Sequence, residues 1–287
     1  MARVWRRVGA VALGVACLAI GATCAEAQPT GNTEAQPTSN TEGMRLLVPA
    51  YFYPGGDGAK HWERLLQSAT ATRAEAPAAP VTKQARGARV TVIVNPASGP
   101  GEQRDPQYAA MLARAARANL ELIGYVSTRY GKRPVEEIRA DIRRWQTFYP
   151  QITGIFLDEQ NSSVDFVKHY RQLYLFIHSQ PGLTTVVTNP GVACDRKFFE
   201  TRTSDTCCIH EQAGSLAKFQ PPDWLRDFPP QRFNALFYNV RDEAEMRRCL
   251  AAAKAAGIGS IFVTDDQLPN PWDRMPDYWP AEIAETQ

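Results

Sequence analysis

Short apolar runs alternate with longer amphipathic stretches from Met44 to the end of the chain. Each run is short, apolar and followed by a polar or Gly/Pro turn, which is typical of a buried parallel strand. The runs predict eight strands, at residues 45–53, 90–95, 120–127, 152–158, 184–189, 206–211, 233–239 and 260–265.

The stretches between the strands carry apolar residues at spacings of three and four, which predicts helices. The clearest helices are predicted at residues 105–118, 135–148, 163–178 and 242–256. Pro106 and Pro134 lie where a first helical turn begins, and Gly257 follows the last of these helices as a stop signal.

Eight strands that alternate with helices predict a single-domain (β/α)₈ TIM-type barrel over residues 44–287. A doubly wound open sheet is the competing fold for such a pattern. The first strand-to-helix turn reads Pro54-Gly55-Gly56-Asp57, which is not a dinucleotide-binding fingerprint. The sequence therefore favours the barrel.

The first 27 residues have the composition of a targeting segment. Three Arg precede residue 8, an apolar stretch runs to about residue 23, and Ala25-Glu26-Ala27 resembles a signal-peptidase site. We expect residues 1–27 to be a signal peptide, so that the mature protein is secreted or periplasmic without stable membrane insertion. An uncleaved anchor, or a lipid attached at Cys17 or Cys24, is the alternative.

Residues 28–43 are expected to be a disordered spacer. They contain most of a duplication, Ala-Gln-Pro-Thr-Gly-Asn-Thr-Glu followed by Ala-Gln-Pro-Thr-Ser-Asn-Thr-Glu, which starts at Ala27. Because the repeat has no large apolar residue, it cannot bury a core of its own.

Composition and charge exclude some classes of partner. Hydrophobic content of 44% and charged content of 22% are ordinary for a globular protein, and a net charge of +2 leaves no footprint for nucleic acid. The four His are separated and no paired C-x-x-C spacing occurs, so we expect neither a metal nor another cofactor.

Four cysteines follow the predicted signal peptide, and an exported protein can join such cysteines in disulfides. Cys207 and Cys208 are neighbours on one predicted strand and should point to opposite faces. We expect Cys208 to pair with Cys249 and leave Cys194 unassigned.

The fourth predicted strand ends abruptly in two adjacent carboxylates, Asp158 and Glu159. Parallel α/β barrels collect their chemistry at the carboxyl ends of the strands. Side-chain alternation puts Asp158 on the same side as Phe156, so Asp158 points into the mouth if Phe156 faces the interior. The alternative is that Asp158 caps the following helix.

The other strand ends carry hydroxyls, amides, carboxylates and aromatic rings, which suit hydrogen bonding to a sugar and packing on its flat C–H face. Glu211, at the end of the sixth strand, supplies a second carboxylate of the kind that glycoside hydrolysis generally needs. A salt bridge to an Arg is the alternative role for Glu211. The residues predicted to contact sugar are Tyr51, Tyr53, Asn95, Tyr125, Asn189, Tyr238 and Asp265.

Five segments together resemble the spherulation-specific family 4 (spherulin 4) proteins, and they come in the family's order. They read VPAYFYP (48–54), NPASGPG (95–101), GYVST (124–128), GIFLDE (154–159) and NPG (189–191). The resemblance implies a (β/α)₈ barrel and kinship with glycoside hydrolase family 135, whose activity is endo-cleavage of α-1,4-linked N-acetylgalactosamine in exopolysaccharide.

In that family an acidic pair at the end of strand four and a Glu near the end of strand six are implicated in cleavage. They map here onto Asp158, Glu159 and Glu211. The neighbours Cys207, Cys208 and His210 depart from the family pattern, so the position of Glu211 also rests on counting strands.

The sequence therefore predicts an exported, monomeric glycoside hydrolase that acts within a polysaccharide. Asp158 is expected to be the nucleophile or cation-stabilising carboxylate, Glu211 the general acid/base, and Glu159 their support. A non-catalytic carbohydrate-binding envelope protein on the same barrel is the alternative. Trp224, Trp272 and Trp279 extend a sugar cleft or pack the barrel bottom, and the sequence does not distinguish the two roles.

Overall fold

A computed structural model describes residues 43–74, 90–214 and 216–286. For residues 70–74 it describes the backbone alone. The predicted signal peptide and nearly all of the predicted spacer lie outside these described residues. None of the helices in the described ranges is both long and apolar enough to cross a membrane.

Eight parallel strands close into a barrel in chain order, which confirms the predicted fold. All eight predicted strands are present, with ends that differ by a few residues. The strands are β1 (Arg45–Ala50), β2 (Val90–Val94), β3 (Glu121–Ser127), β4 (Gly154–Asp158), β5 (Thr185–Thr188), β6 (Thr206–Ala213), β7 (Phe233–Tyr238) and β8 (Ser260–Val263).

Helices surround this barrel, and all four predicted helices are among them. The third of these starts as a 3₁₀ turn at Val164–Phe166 before it becomes an α-helix. The helices are α1 (Ala59–Ala74), α2 (Pro106–Arg117), α3 (Val135–Phe148), α4 (Val167–His178), α5 (Lys197–Glu200), α6 (Glu243–Ala255) and α7 (Trp279–Thr286).

Side-chain caps set where two of the helices begin. The Asp105 carboxylate accepts hydrogen bonds from the backbone N–H groups of Gln107 and Tyr108, and Pro106 takes the first helical position of α2. The Asp242 carboxylate accepts from the N–H of Glu245 at the start of α6. These caps satisfy backbone donors that a helix end otherwise leaves unpaired.

The connection between β6 and β7 has short 3₁₀ turns in place of a long helix, at Leu216–Lys218, Asp223–Asp227 and Pro230–Arg232. Trp224 lies on the second turn, and its ring packs against Phe199 (centroids 5.1 Å apart) and Phe228 (6.0 Å). This tryptophan therefore belongs to the packing outside the barrel.

A close approach between α3 and β3 fixes one wall of the barrel. A Cβ atom at Gly124 would lie 2.5 Å from the Trp145 ring, so only glycine lets the helix pack this close. The Trp145 indole N–H donates to the carbonyl of Tyr125 (2.9 Å) and is fully buried. The packing holds Tyr125 in place at the carboxyl half of β3.

The barrel closes between β8 and β1 through only two register pairs, Arg45 with Ser260 and Leu46 with Ile261. Beyond them the backbone N–H of Val263 donates to the Glu282 carboxyl of α7 (2.8 Å). Glu282 is fully buried, and burial raises its pKa well above the usual range. The Glu282 carboxyl therefore supplies a hydrogen-bond acceptor at the seam where the ladder between the strands stops.

The expected Cys208–Cys249 disulfide is wrong, and all four described cysteines are free thiols. Cys208 faces the barrel interior, where burial and then the charges of Glu211 and Asp158 raise the thiol pKa. Cys249 lies on α6, in the outer layer. The barrel wall separates the two thiols.

Candidate active site

Asp158 ends β4 and points into the mouth of the barrel, on the same side as Phe156. The ring of Phe156 lies 6.2 Å from that of Tyr125, whose hydroxyl hydrogen-bonds to the Asp158 carboxylate. The next helical segment is capped by the Ser163 hydroxyl, which accepts from the N–H of Asp165. Asp158 is therefore free of the capping role.

Glu211 reaches the same mouth because β6 contains an irregularity. Cys208 pairs with Asn234, but His210 pairs with Ala235, so Ile209 is an extra residue in a β-bulge. Without this bulge, strict alternation from the inward Cys208 would turn Glu211 away from the interior. The bulge re-aims the carboxylate, which is a common use of bulges beside active sites.

Asn189, just beyond β5, connects the two carboxylates. Its side-chain amide donates to Asp158 Oδ1 (2.8 Å) and to Glu211 Oε2 (2.6 Å). Since one nitrogen bridges both, the two oxygens lie at most about 5.4 Å apart, the two bonds laid end to end. The predicted sugar contact is therefore also the bridge of the carboxylate pair.

Both carboxylates favour the protonated form more than they would in water. Burial raises the pKa of Asp158, whereas hydrogen bonds from Tyr125, from the Glu159 backbone N–H and from Asn189 lower it. Burial outweighs the hydrogen bonds, so the pKa of Asp158 is raised. Burial is also the main cause that raises the pKa of Glu211, and the nearby charge of Asp158 adds to it. Two like charges that share one amide donor cannot both ionise freely.

Aromatic residues from the carboxyl halves of β3 and β7, from just beyond β1 and from the segment after β8 surround the pair. Tyr51 packs edge-on to Tyr125 (5.9 Å between centroids), and burial, then the charge of Asp158, raises the pKa of each hydroxyl. Tyr238 packs edge-on to Trp272 (6.0 Å). The structure thus gathers three of the predicted tyrosines around the mouth.

Trp272 is a site residue whose role the sequence left open. It lies in the segment after β8, it is buried, and its indole N–H hydrogen-bonds to Glu211, which holds the pKa of that carboxyl down. Its carbonyl accepts from the N–H of Tyr51 (3.0 Å). Trp279 instead packs on Phe262 and donates to Ser68, so it belongs to the helix layer.

Glu159 faces a different direction from its neighbour. Its backbone is left-handed (φ 55°), and its carboxylate accepts a hydrogen bond from the Ser127 hydroxyl. It lines a cleft on the β3 side of the mouth together with Tyr125. Asp158 therefore belongs to the bridged carboxylate pair, whereas Glu159 lines the neighbouring cleft.

Three other predicted contacts have partners outside the carboxylate group. The Tyr53 hydroxyl donates to Asp105 (3.1 Å), and the Asn95 side chain accepts from the N–H of Gly99 (2.9 Å) in its own loop. Asp265 forms an ion pair with Arg274 (3.0 Å). A role in sugar binding stays a prediction for these three residues.

His210 is excluded from acid–base work at the mouth. It faces outward, and its ring packs against Phe219 (5.0 Å) and Phe237 (4.6 Å). Burial lowers its pKa to about 4, so the ring is neutral near pH 7.

Comparisons with known proteins agree on the fold. A model of the family described as "Spherulation-specific family 4" matches residues 45–285. Spherulin-4 of Physarum polycephalum is 27% identical over 231 residues, which are 77% of this chain and 63% of that protein. The chain thus spans less than two thirds of that relative's length.

Among solved structures, Aspergillus clavatus Sph3 in complex with GalNAc aligns with a TM-score of 0.70 at 23% identity. The alignment covers 86% of this chain and 98% of that one. At this identity the similarity shows a shared barrel fold.

Proposed function

The chain belongs to spherulation-specific family 4, and from that membership we propose that it is an exported endo-acting glycoside hydrolase. Its substrate is an exopolysaccharide that contains N-acetylhexosamine, with α-1,4-linked N-acetylgalactosamine as the first candidate. The observation that carries the proposal is the amide of Asn189, which bridges two buried carboxylates at the barrel mouth.

The hydrogen bonds divide the work between the two carboxylates. Asp158 accepts three, from Tyr125, Asn189 and the Glu159 backbone, which stabilise its anion. Glu211 accepts from Asn189 and Trp272, and burial and the Asp158 charge favour its protonated form. Glu211 is therefore the general acid/base, and Asp158 is the nucleophile or the carboxylate that stabilises the cation.

Glu159 supports the pair through its backbone and its charge. Its backbone N–H donates to the Asp158 carboxylate. The charge of its own carboxylate also raises the pKa of Asp158, by less than burial does. The supporting role fits the resemblance to glycoside hydrolase family 135. The solved relative Sph3 was crystallised with GalNAc, which places the same sugar at the head of a substrate panel.

Hydrolysis of an α-1,4-N-acetylgalactosamine polymer by the purified protein tests this proposal. We expect oligosaccharide release, and a fall of about 1,000-fold or more in Asp158→Asn and in Glu211→Gln. The isosteric changes keep the side-chain volume but replace one accepting carboxylate oxygen with an NH2 donor, and circular dichroism checks that each variant is folded. Asp165→Asn, on the exposed turn before α4, is the matched control and should retain full activity.

Two outcomes would contradict parts of the proposal. Release that persists in either active-site variant would show that the residue has been assigned wrongly. Binding of polymer by the wild type without release across the panel would instead favour a non-catalytic carbohydrate-binding protein.

A further inference from the structure

A cleft of about 640 Å³ opens beside the carboxylate pair, between the loops that follow β2, β3 and β4. Ser98, Tyr130 and Glu159 line it, one from each loop, and Tyr125 is shared with the active site. The volume is within the range of about 300–1,000 Å³ that is usual for small-molecule sites.

Unusual backbone conformations concentrate around this cleft. Seven non-glycine residues of the described chain have a positive φ, and four of the seven line the cleft. They are Ser98 (φ 52°), Arg129 (48°), Tyr130 (55°) and Glu159 (55°). A left-handed backbone is unfavourable for a bulky residue such as Tyr, and such strain gathers at ligand clamps and active sites.

Hydrogen bonds hold the strained residues in place. The N–H of Tyr130 donates to the Glu159 carbonyl (2.7 Å), and the Asn161 side-chain amide donates to the Tyr130 carbonyl (3.1 Å). The buried Thr128 hydroxyl lies 2.8 Å from the same Glu159 carbonyl. The β3 and β4 loops are thereby fastened together into a preformed wall.

The strained turn presents the Tyr130 ring to solvent next to the acids. The side chain is 52% exposed, which is unusual for a large aromatic residue. Burial raises the pKa of its hydroxyl, and so do the charges of Glu159, Asp158 and Glu211, which places the ring within electrostatic reach of all three carboxylates. An exposed aromatic face beside hydroxyl and carboxylate groups is the environment that binds a pyranose.

We propose that this cleft is the subsite for the sugar unit next to the scissile bond, with Tyr130 as its stacking platform. The Tyr130 ring packs on the C–H face of a pyranose, and Glu159 accepts a hydrogen bond from a hydroxyl or acetamido N–H of that sugar. The inference rests on the proposed function and adds a sugar-binding residue to it.

The test measures binding apart from chemistry. A tetramer of α-1,4-linked N-acetylgalactosamine is titrated calorimetrically into Asp158→Asn protein, with Tyr130 intact or changed to Ala or Phe. We expect about tenfold weaker binding with Ala, the scale of one lost aromatic contact, and unchanged binding with Phe. In the active enzyme, Tyr130→Ala should raise KM by a similar factor and change kcat by less than about twofold.

Tyr130→Gly separates the effect of the ring on binding from its effect on folding stability. Glycine adopts φ 55° without strain, so this variant should melt at a higher temperature than wild type while it binds as weakly as Tyr130→Ala. Leu175→Ala, which removes a 51% exposed side chain from the outer helix α4, is the control and should bind normally.

The possible results separate the two proposals. If the wild type hydrolyses the polymer, and both Tyr130→Ala and Tyr130→Gly bind and turn over normally, the subsite is wrong and the glycosidase stands. If the wild type neither binds nor cleaves any polymer of the panel, the glycosidase proposal and the subsite proposal both fail.

Discussion

Asn189 is the residue through which the two carboxylates act on each other. Its amide stabilises the charged form of both, and it therefore lowers the pKa of Asp158 and the pKa of Glu211 against the effect of burial. Its side chain is itself fixed, because its oxygen accepts from the N–H of Gly191 (2.9 Å). The donor is thus preorganised, and preorganised donors give the largest electrostatic stabilisation of a transition state.

We expect Asn189→Ala to lower kcat/KM by about 100-fold, because the carboxylates lose their fixed spacing. The pH–rate profile should also move to higher pH. Removal of the amide raises both pKa values, so Asp158 ionises later and Glu211 keeps its proton to a higher pH. Rates measured across pH check this shift.

Asn95→Ala is the comparison variant, because Asn95 also ends a strand but holds only its own loop. A change there should leave the pH profile in place. An unmoved profile in Asn189→Ala would contradict the bridging role.

The spacing of the carboxylates predicts the stereochemistry. The bridged oxygens lie at most about 5.4 Å apart, which favours the carboxyl separation of roughly 5–5.5 Å found in retaining enzymes over the roughly 6.5–9.5 Å of inverting ones. We expect the first product to keep the anomeric configuration of the substrate. Proton NMR during early hydrolysis distinguishes the anomers, and initial formation of the opposite anomer would show that this carboxylate geometry is not the working one.

At the scale of elements, the β6 bulge and the β8–α7 contact replace regular ladder pairing. The bulge at Ile209 reverses the facing of the residues behind it, so that Glu211 enters the mouth and His210 packs outside. In the second case a carboxyl from α7 accepts the N–H of Val263 where β1 no longer pairs with β8.

Glu282 should make the stability of the barrel depend on pH. Its pKa is higher in the folded than in the unfolded state. Its contribution to the free energy of unfolding is therefore fully present below the unfolded pKa of about 4.3 and is lost as the pH rises towards the folded pKa. Glu282→Gln removes the titration. We expect it to raise Tm relative to wild type at pH 7, but not at pH 4.

Each unit of pKa difference corresponds to about 1.4 kcal/mol, or about 2–4 °C in a protein of this size. Glu282→Ala is the contrasting variant and should destabilise at both pH values, because it leaves the buried Val263 N–H without an acceptor at a cost of about 1–3 kcal/mol. Melting curves that show no pH-dependent difference between wild type and Glu282→Gln would contradict a raised pKa of Glu282.

At the scale of the whole molecule, the catalytic proposal depends on export to where exopolysaccharide lies. The first 27 residues have the charged, apolar and small-residue pattern that predicts a signal peptide. We expect the mature protein to begin at Gln28 and to be a monomer. N-terminal sequencing of the exported protein and light scattering measure these two properties, and retention of residues 1–27 would favour an anchored protein.

Much of the barrel could be predicted because its signals are local. The predicted 135–148 helix matches α3, and the apolar run before Asp158 is β4. Strand and helix periodicities are properties of neighbouring residues, so they can be read along the chain. The same holds for Asp158, whose facing follows from simple alternation within one strand.

The site needed contacts between residues distant in sequence. Trp272 reaches Glu211 from the segment after β8, and Asn189 joins two strands through one nitrogen, neither of which a linear pattern reveals. The expected pairing of Cys208 with Cys249 failed for the same reason, because the barrel wall that separates them exists only after closure.

The sequence by itself therefore determined the strands, the main helices, the family and the identity of the acids at the strand ends. Only the tertiary structure decided that the Ile209 bulge turns Glu211 inward, and that Glu159 faces the neighbouring cleft. The physical reason is that local periodicity places a residue on a face of its own element, whereas register, bulges and barrel closure decide what that face meets.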